Sequence, residues 1–180
     1  MMRRLNFAED SEARQLLDLQ QLSYQVEASL IGYADLPPLK DTLETLRSSN
    51  EQFYGYFDRE TLVGAISYES EGISVKCREC DKGGRHSQGL TPARFLDERA
   101  RKGLDICRLV VHPEFFRRGI GGKLLRKIEG LEDPELMTVW TGSKNTPALE
   151  LYKRFGFVAL EEREVAPGVF VTYLKKLKQE

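Results

Sequence analysis

The run His112–Leu125, "HPEFFRRGIGGKLL", sets two arginines and three glycines between an apolar stretch and an amphipathic one. Glycine costs backbone entropy on folding, and adjacent arginines repel. A bound anion would offset both. Before the run, "LDICRLVVH" (Leu104–His112) has the pattern of a buried strand. After it, Ile120, Leu124, Ile128 and Leu131 fall on one face of a helix over Ile120–Leu131. A strand that turns through glycines into a helix N-terminus presents free N–H groups and the positive end of the helix dipole, a ready site for phosphate.

Spacing excludes two common phosphate cradles. A P-loop needs glycine where Arg117 stands and Ser or Thr where Leu124 stands. A dinucleotide fingerprint on Gly119 and Gly121 needs its third glycine at the same Leu124.

Working outward, Arg3–Ala8 reads as a short strand and Ser11–Leu30 as a helix that Ser11 could cap. Pro37–Ser49 reads as a second helix carrying Leu39, Leu43 and Leu46. "EQFYGYFD" and "TLVGAISYE" form a hairpin across "DRE". Beyond the central motif come a strand at Leu136–Thr141, a helix at Pro147–Phe155 stopped by Gly156, and two final strands, "FVALEEREV" and "GVFVTYLKKL". The succession βααββ then βαβαββ predicts an α/β (α+β) fold around one sheet. Ser70–Gly103 is polar and irregular. Within it, Thr91 and Pro92 could open a helix that Gly103 ends.

Bulk composition narrows the function. Lys and Arg total 27 against 28 Asp and Glu, so there is no basic excess of the kind nucleic-acid binders show. No apolar run is long enough to span a membrane, and "MMRRLNFAEDSE" lacks the apolar core of a signal peptide. Three cysteines, in a chain of 180 residues, do not suggest a disulfide framework. A cytoplasmic protein is the expectation.

The run Val111-His-Pro-Glu-Phe-Phe-Arg-Arg-Gly-Ile-Gly resembles the acyl-coenzyme A loop of the GNAT N-acetyltransferase superfamily: Val-x-Pro, a spacer, then Gln/Arg-x-x-Gly-x-Gly/Ala. "NTPALELYKRFGF" (Asn145–Phe157) resembles the superfamily's second cofactor motif, Asn-x-x-Ala-x-x-Leu-Tyr-x-x-x-Gly-Phe. The two occur in the family's order with one strand between them. The resemblance implies the GNAT acyl-CoA acyltransferase fold, a mixed sheet of about seven strands flanked by about four helices. It would occupy residues 1–180 as one domain, with an irregular insertion at about 70–103.

The resemblance also assigns roles. N–H groups from Arg117 through Arg118, Gly119, Ile120 and Gly121 to Gly122 would grip the pyrophosphate of acetyl-CoA. Pro147 makes Thr146 the expected helix cap, which would leave Asn145 for the pantetheine arm. A bulge in the fourth strand would free a backbone N–H in the region Leu109, Val110, Val111 for the thioester carbonyl. Tyr152 matches the family's general acid. It shares a helix face with Leu149 and Phe155, so it could equally be core. Asp105 stands where the histone-acetylating branch carries a basic glutamate. By simple alternation Asp105, Cys107, Leu109 and Val111 share one face. Against that, Asp105 could be a solvated strand end or pair with Arg108. Glu69 and Glu71 are rivals, and many members use a water chain. One position departs from the pattern: Phe116 stands where Gln or Arg is expected.

The expected reaction is acetyl transfer from acetyl-CoA to a primary amine by direct attack in a ternary complex. A lysine-like amine, with a pKa of ~10.4, needs a proton acceptor at neutral pH. Glu27, Asp35 and Glu71 could attract a cationic acceptor. The insertion is the expected specificity element. The alternatives are an acyl-CoA sensor without catalysis, or transfer of a longer acyl chain. No metal is expected. Cys77 and Cys80 form a lone CxxC without a second ligand pair, although His86 is near in sequence. The cysteines read better as buried or strand hydrophobes. His112 is given no catalytic role, and Trp140 is either core or a wall for the cofactor arm. No nucleic-acid or membrane partner is expected. Dimers are common in the family, so a homodimer is an option.

Overall fold

The computed structural model describes residues 1–8, 10–73 and 101–178. Its elements are β1 (Met2–Arg4), α1 (Asp10–Ile31), a 3₁₀ turn (Pro37–Lys40), α2 (Leu43–Ser48), β2 (Gln52–Asp58), β3 (Thr61–Ile73) and β4 (Arg101–Val111). A second 3₁₀ turn (Pro113–Phe115), α3 (Ile120–Glu132), β5 (Leu136–Gly142), α4 (Thr146–Arg154), β6 (Val158–Ala166) and β7 (Val169–Leu177) follow. The strands form one seven-stranded sheet in the order β1-β2-β3-β4-β5-β7-β6. Only β4 and β5 are parallel, because α3 crosses between them; the other neighbours are antiparallel.

Alternation gives the sheet two apolar faces. One packs on α3 and α4 through Leu104, Ile106, Leu124, Ile128, Val139 and Tyr152. The other packs on α1 and α2 through Leu16, Leu19, Tyr24, Leu46, Phe53 and Val110. The β2–β3 hairpin closes with Asp58 opposite Thr61 and Arg59 at φ 54°.

Local polar chemistry moves several boundaries from those expected. β1 ends at Arg4, because Asn6 turns the chain: its Oδ1 accepts from the Ala8 N–H at 3.1 Å, and Glu12 accepts from the Asn6 N–H at 2.8 Å. Helix α1 begins at Asp10, so Ser11 lies inside it rather than capping it. The single helix expected at Pro37–Ser49 breaks after Lys40. Thr42 and Thr45 form a reciprocal capping box that starts α2 afresh.

Strands β3 and β4 run further into the polar segment than the sequence pattern indicates. Glu71–Ile73 pair with Arg101–Gly103, so these last three residues are strand and not the end of a helix begun at Thr91. Residues 74–100, with Thr91, Cys77, Cys80 and His86, lie outside the described residues. Among the described residues, no helix is long and apolar enough to cross a membrane.

Candidate active site

Strands β4 and β5 part company halfway. They pair over Gly103–Ile106 against Leu136–Val139. Beyond that, Cys107–Val111 and Trp140–Gly142 continue without pairing with each other, and their facing edges line an opening. The split begins at a bulge. Ser67 pairs with Arg108 and Tyr68 with Ile106, leaving Cys107 as the extra residue of β4. The bulge was expected at Leu109–Val111; it lies two residues earlier.

An inserted residue reverses the alternation of everything after it. Leu104 and Ile106 face the α3 core, and so do Leu109 and Val111, while Val110 faces α1. Asp105 therefore does not share a face with Leu109 and Val111, contrary to simple counting. Its Oδ1 accepts from the Thr138 hydroxyl at 2.6 Å. Arg108 pairs with Asp41 and with Glu51, the latter at 2.7 Å.

The opening widens into a cleft of about 960 Å³. Leu109, Val111, Arg117, Gly119, Ile120, Gly121, Gly122, Asn145 and Tyr152 all line it; Val110, Arg118 and Asp105 do not. At one end lies the glycine loop. Arg117 and Gly119 have φ of 59° and 73°, and Gly119 caps α3 with no side chain to offer. The first bond of the helix runs from the Lys123 N–H to Gly119 at 3.0 Å. The N–H groups of Ile120, Gly121 and Gly122 thus have no acceptor within the helix. A Cβ on Gly121 would come within 3.0 Å of Leu151, so a side chain there would crowd the approach. Arg118 stacks on the Phe115 ring at 4.6 Å, which leaves Arg117 as the loop arginine facing the cleft. Free donors, a helix N-terminus and an arginine fit a pyrophosphate.

Along the cleft, α4 is capped by Asn145 and not by Thr146. The Asn145 Oδ1 accepts from the Ala148 N–H at 3.3 Å. Leu149, Tyr152 and Phe155 do share the inward face, and Gly156 follows the helix at φ 86°. Tyr152 is both core and cleft: it is 4% exposed, packs on Phe157 at 5.4 Å and still lines the opening. Burial first, and the charge of Glu27 second, push its phenol well above the ordinary value, so it stays protonated. Trp140 is 38% exposed against Tyr173 at 4.9 Å, a cleft wall and not core.

The α1 side of the cleft is made of side chains that the sequence did not bring together. Tyr24 and Glu27 line it from one helix turn, with Arg108 and Cys107 from β4. Burial raises the Glu27 carboxyl above the usual range, while hydrogen bonds from Asn145 and the Gly142 backbone act against that rise. Burial also raises Tyr24, with Glu27 adding to it. Cys107 is exposed as a residue, not a buried hydrophobe. Partial burial of its sulfur and the charges of Glu51, Asp105 and Glu69 push the thiol up to about 12, so it is no nucleophile at neutral pH. Asp35, one of the carboxylates expected to draw an acceptor, is exposed and paired with Lys40 at 2.6 Å. The side chain of Glu71 lies outside the described residues. No group of three or more His, Cys, Asp or Glu suited to a metal occurs among the described residues.

Comparison with known proteins bears on the family and the fold. A family model described as an acetyltransferase (GNAT) domain matches residues 49–159. A Bacillus subtilis protein, UPF0157 protein YqkA, is 34% identical over 173 residues, covering 96% of this chain and 42% of that protein. An uncharacterized N-acetyltransferase of Methanocaldococcus jannaschii, MJ1207, is 39% identical over 71 residues, 38% of this chain and 30% of that protein. The matched stretches thus cover less than half the length of each curated relative. Among solved structures, the PaiA N-acetyltransferase from Thermoplasma acidophilum in complex with coenzyme A superimposes with a TM-score of 0.64 at 15% identity, covering 99% and 98% of the two chains. An aminoglycoside 6'-N-acetyltransferase complexed with coenzyme A gives 0.63 at 14% identity, covering 98% and 96%. At such identities the likeness is one of fold.

Proposed function

From the premise that the chain belongs to the GNAT acetyltransferase family, we propose that it transfers the acetyl group of acetyl-CoA to a primary amine by direct attack in a ternary complex. One observation carries this reading: the parting of β4 from β5 joins the uncapped N-terminus of α3 to the phenol of Tyr152 through a single cleft.

Each residue's part follows from its position. The N–H groups of Ile120, Gly121 and Gly122, with Arg117, hold the pyrophosphate. Leu109, Val111 and Ala148 supply apolar walls for the pantetheine arm. The Asn145 side chain carbonyl is taken by its own helix, so Asn145 acts by fixing the start of α4 rather than by gripping the arm. The acyl donor supplies a thioester carbonyl, and backbone N–H groups at the Cys107 bulge, unpaired on the β5 side, are placed to polarise it. Tyr152, held protonated, donates to the departing sulfur.

The acceptor could be a small molecule or a protein amine. The test is thiol release from acetyl-CoA by the purified protein across a panel of primary amines. Release with at least one amine is the expected result. Binding of acetyl-CoA with no release would favour the sensor reading instead.

A further inference from the structure

We infer that Glu27, on α1, is the group that takes the proton from the acceptor amine. The inference rests on the acetyl-transfer reading above.

The base acts on the same reacting group as Tyr152, so it must stand in the opening between β4 and β5 that Tyr152 lines, within reach directly or through one water. Among the described residues, only two carboxylates line the cleft, Glu27 and Glu150. Glu150 is at the exposed rim and pairs with Arg154 at 3.4 Å. Glu51 and Asp41 are committed to Arg108. Asp105 does not line the cleft, and one of its oxygens accepts from Thr138. Glu27 remains, with no ion pair among the described residues.

Its position is fixed by its neighbours. A Cβ built on Gly142 would stand 3.6 Å from the Glu27 Oε1 and 3.8 Å from the Asn145 Cβ, so this carboxylate sits against the open end of β5 and the cap of α4. Glycine at 142 leaves room for Ile31, one turn further along the same helix, which that Cβ would meet at 2.7 Å. The titratable groups facing it are Tyr24 from its own helix and Tyr152 from α4. Arg108, the cation from β4, stands nearer Tyr24 and is already paired. Burial biases the carboxyl toward accepting a proton, as a base requires.

Glu27 takes the first proton of the ammonium group and returns it to water. As the N–C bond forms and the C–S bond breaks, Tyr152 gives its proton to sulfur and recovers one from the same nitrogen. The net products are the amide, the free thiol and one released proton.

The experiment compares pH–rate profiles of the wild type, Glu27→Gln, Glu27→Asp and Asp105→Asn, using an amine that the panel shows to be acetylated. Coenzyme A affinity of each is measured by calorimetry to establish that the cleft is intact. Glu27→Gln should lose about 10²-fold in kcat near neutral pH, with coenzyme A affinity held within about 3-fold. The deficit should shrink as pH rises and the amine deprotonates by itself. Glu27→Asp should retain part of the rate. A merely structural role would give a pH-independent loss, which Asn145→Ala would reproduce. A wild-type rate in Glu27→Gln, a flat deficit, or a pH-dependent loss that follows Asp105→Asn instead would overturn the assignment alone. No release from the wild type with any amine would overturn the transfer reading and the base with it.

Discussion

The two ends of the cleft are built from different materials. The α3 end is backbone: N–H groups of a glycine loop, with one arginine beside them. The α1 end is side chains: Tyr24 and Glu27 from α1 and Arg108 from β4, the last held by two carboxylates, Asp41 and Glu51, that do not themselves line the cleft. A backbone site needs a particular chain path, and a path is written in contiguous residues. A side-chain site needs only that distant positions meet. The first end can therefore be read from fourteen consecutive letters, and the second cannot be read from any stretch at all.

Perturbing each end should show this difference. The largest effect belongs to the backbone end. Gly121→Val should abolish acetyl-CoA binding in a calorimetric titration while the far-UV circular dichroism stays native, because its Cβ lies 3.0 Å from Leu151 at the approach to the loop. Retained binding would place the pyrophosphate elsewhere.

Next comes the ion-pair network. Arg108, Asp41 and Glu51 have side chains only 16%, 15% and 11% exposed. Arg108→Met leaves two carboxylates without their cation and should cost about 3 kcal/mol in a denaturant titration. Burial raises the Glu51 carboxyl, but hydrogen bonds from Arg108 and Ser67 outweigh it and hold it below the ordinary range. Its stabilising contribution is therefore complete above the ordinary glutamate pKa and is lost as pH falls through the lowered value. Thermal melts below about pH 4.5 should fall more steeply in the wild type than in Arg108→Met.

Tyr152→Phe should lower kcat roughly 10²-fold with acetyl-CoA affinity within about 3-fold of wild type. Since its phenol is raised, it should cause no alkaline decline below the ordinary tyrosine range. An unchanged kcat would remove Tyr152 from the chemistry. The smallest effect is expected at Phe116, where the loop departs from the family pattern. It is 42% exposed, and the donors around it are main chain. Phe116→Gln should alter coenzyme A affinity by no more than about 3-fold; a large gain would mean that this side chain, and not only the backbone, sets the grip.

The same distinction explains what the sequence disclosed. Helix and strand order, the glycine loop, Tyr152 and the inward face of α4 follow from periodicity and contiguous motifs. The bulge at Cys107 did not, because one inserted residue leaves no mark on an apolar strand pattern, and it carried Asp105 off the face on which counting had put it. The Thr42 capping box was legible in principle, as Thr-x-x-Thr ahead of Leu46, but the apolar spacing around it favoured one longer helix. Asn145 as cap could also have been anticipated, since asparagine is a stronger cap than threonine. Glu27 had no local signal. Its significance depends on Gly142 and Asn145, more than a hundred positions away.

The measurement that tests the account most directly is an amide-resolved NMR titration of the protein with coenzyme A. The largest shifts are expected on the N–H groups of Arg117–Gly122, the loop that opens α3, and on Cys107–Leu109, where β4 still pairs with β3 but no longer with β5. Shifts confined to other parts of the sheet, with these two segments unmoved, would contradict it.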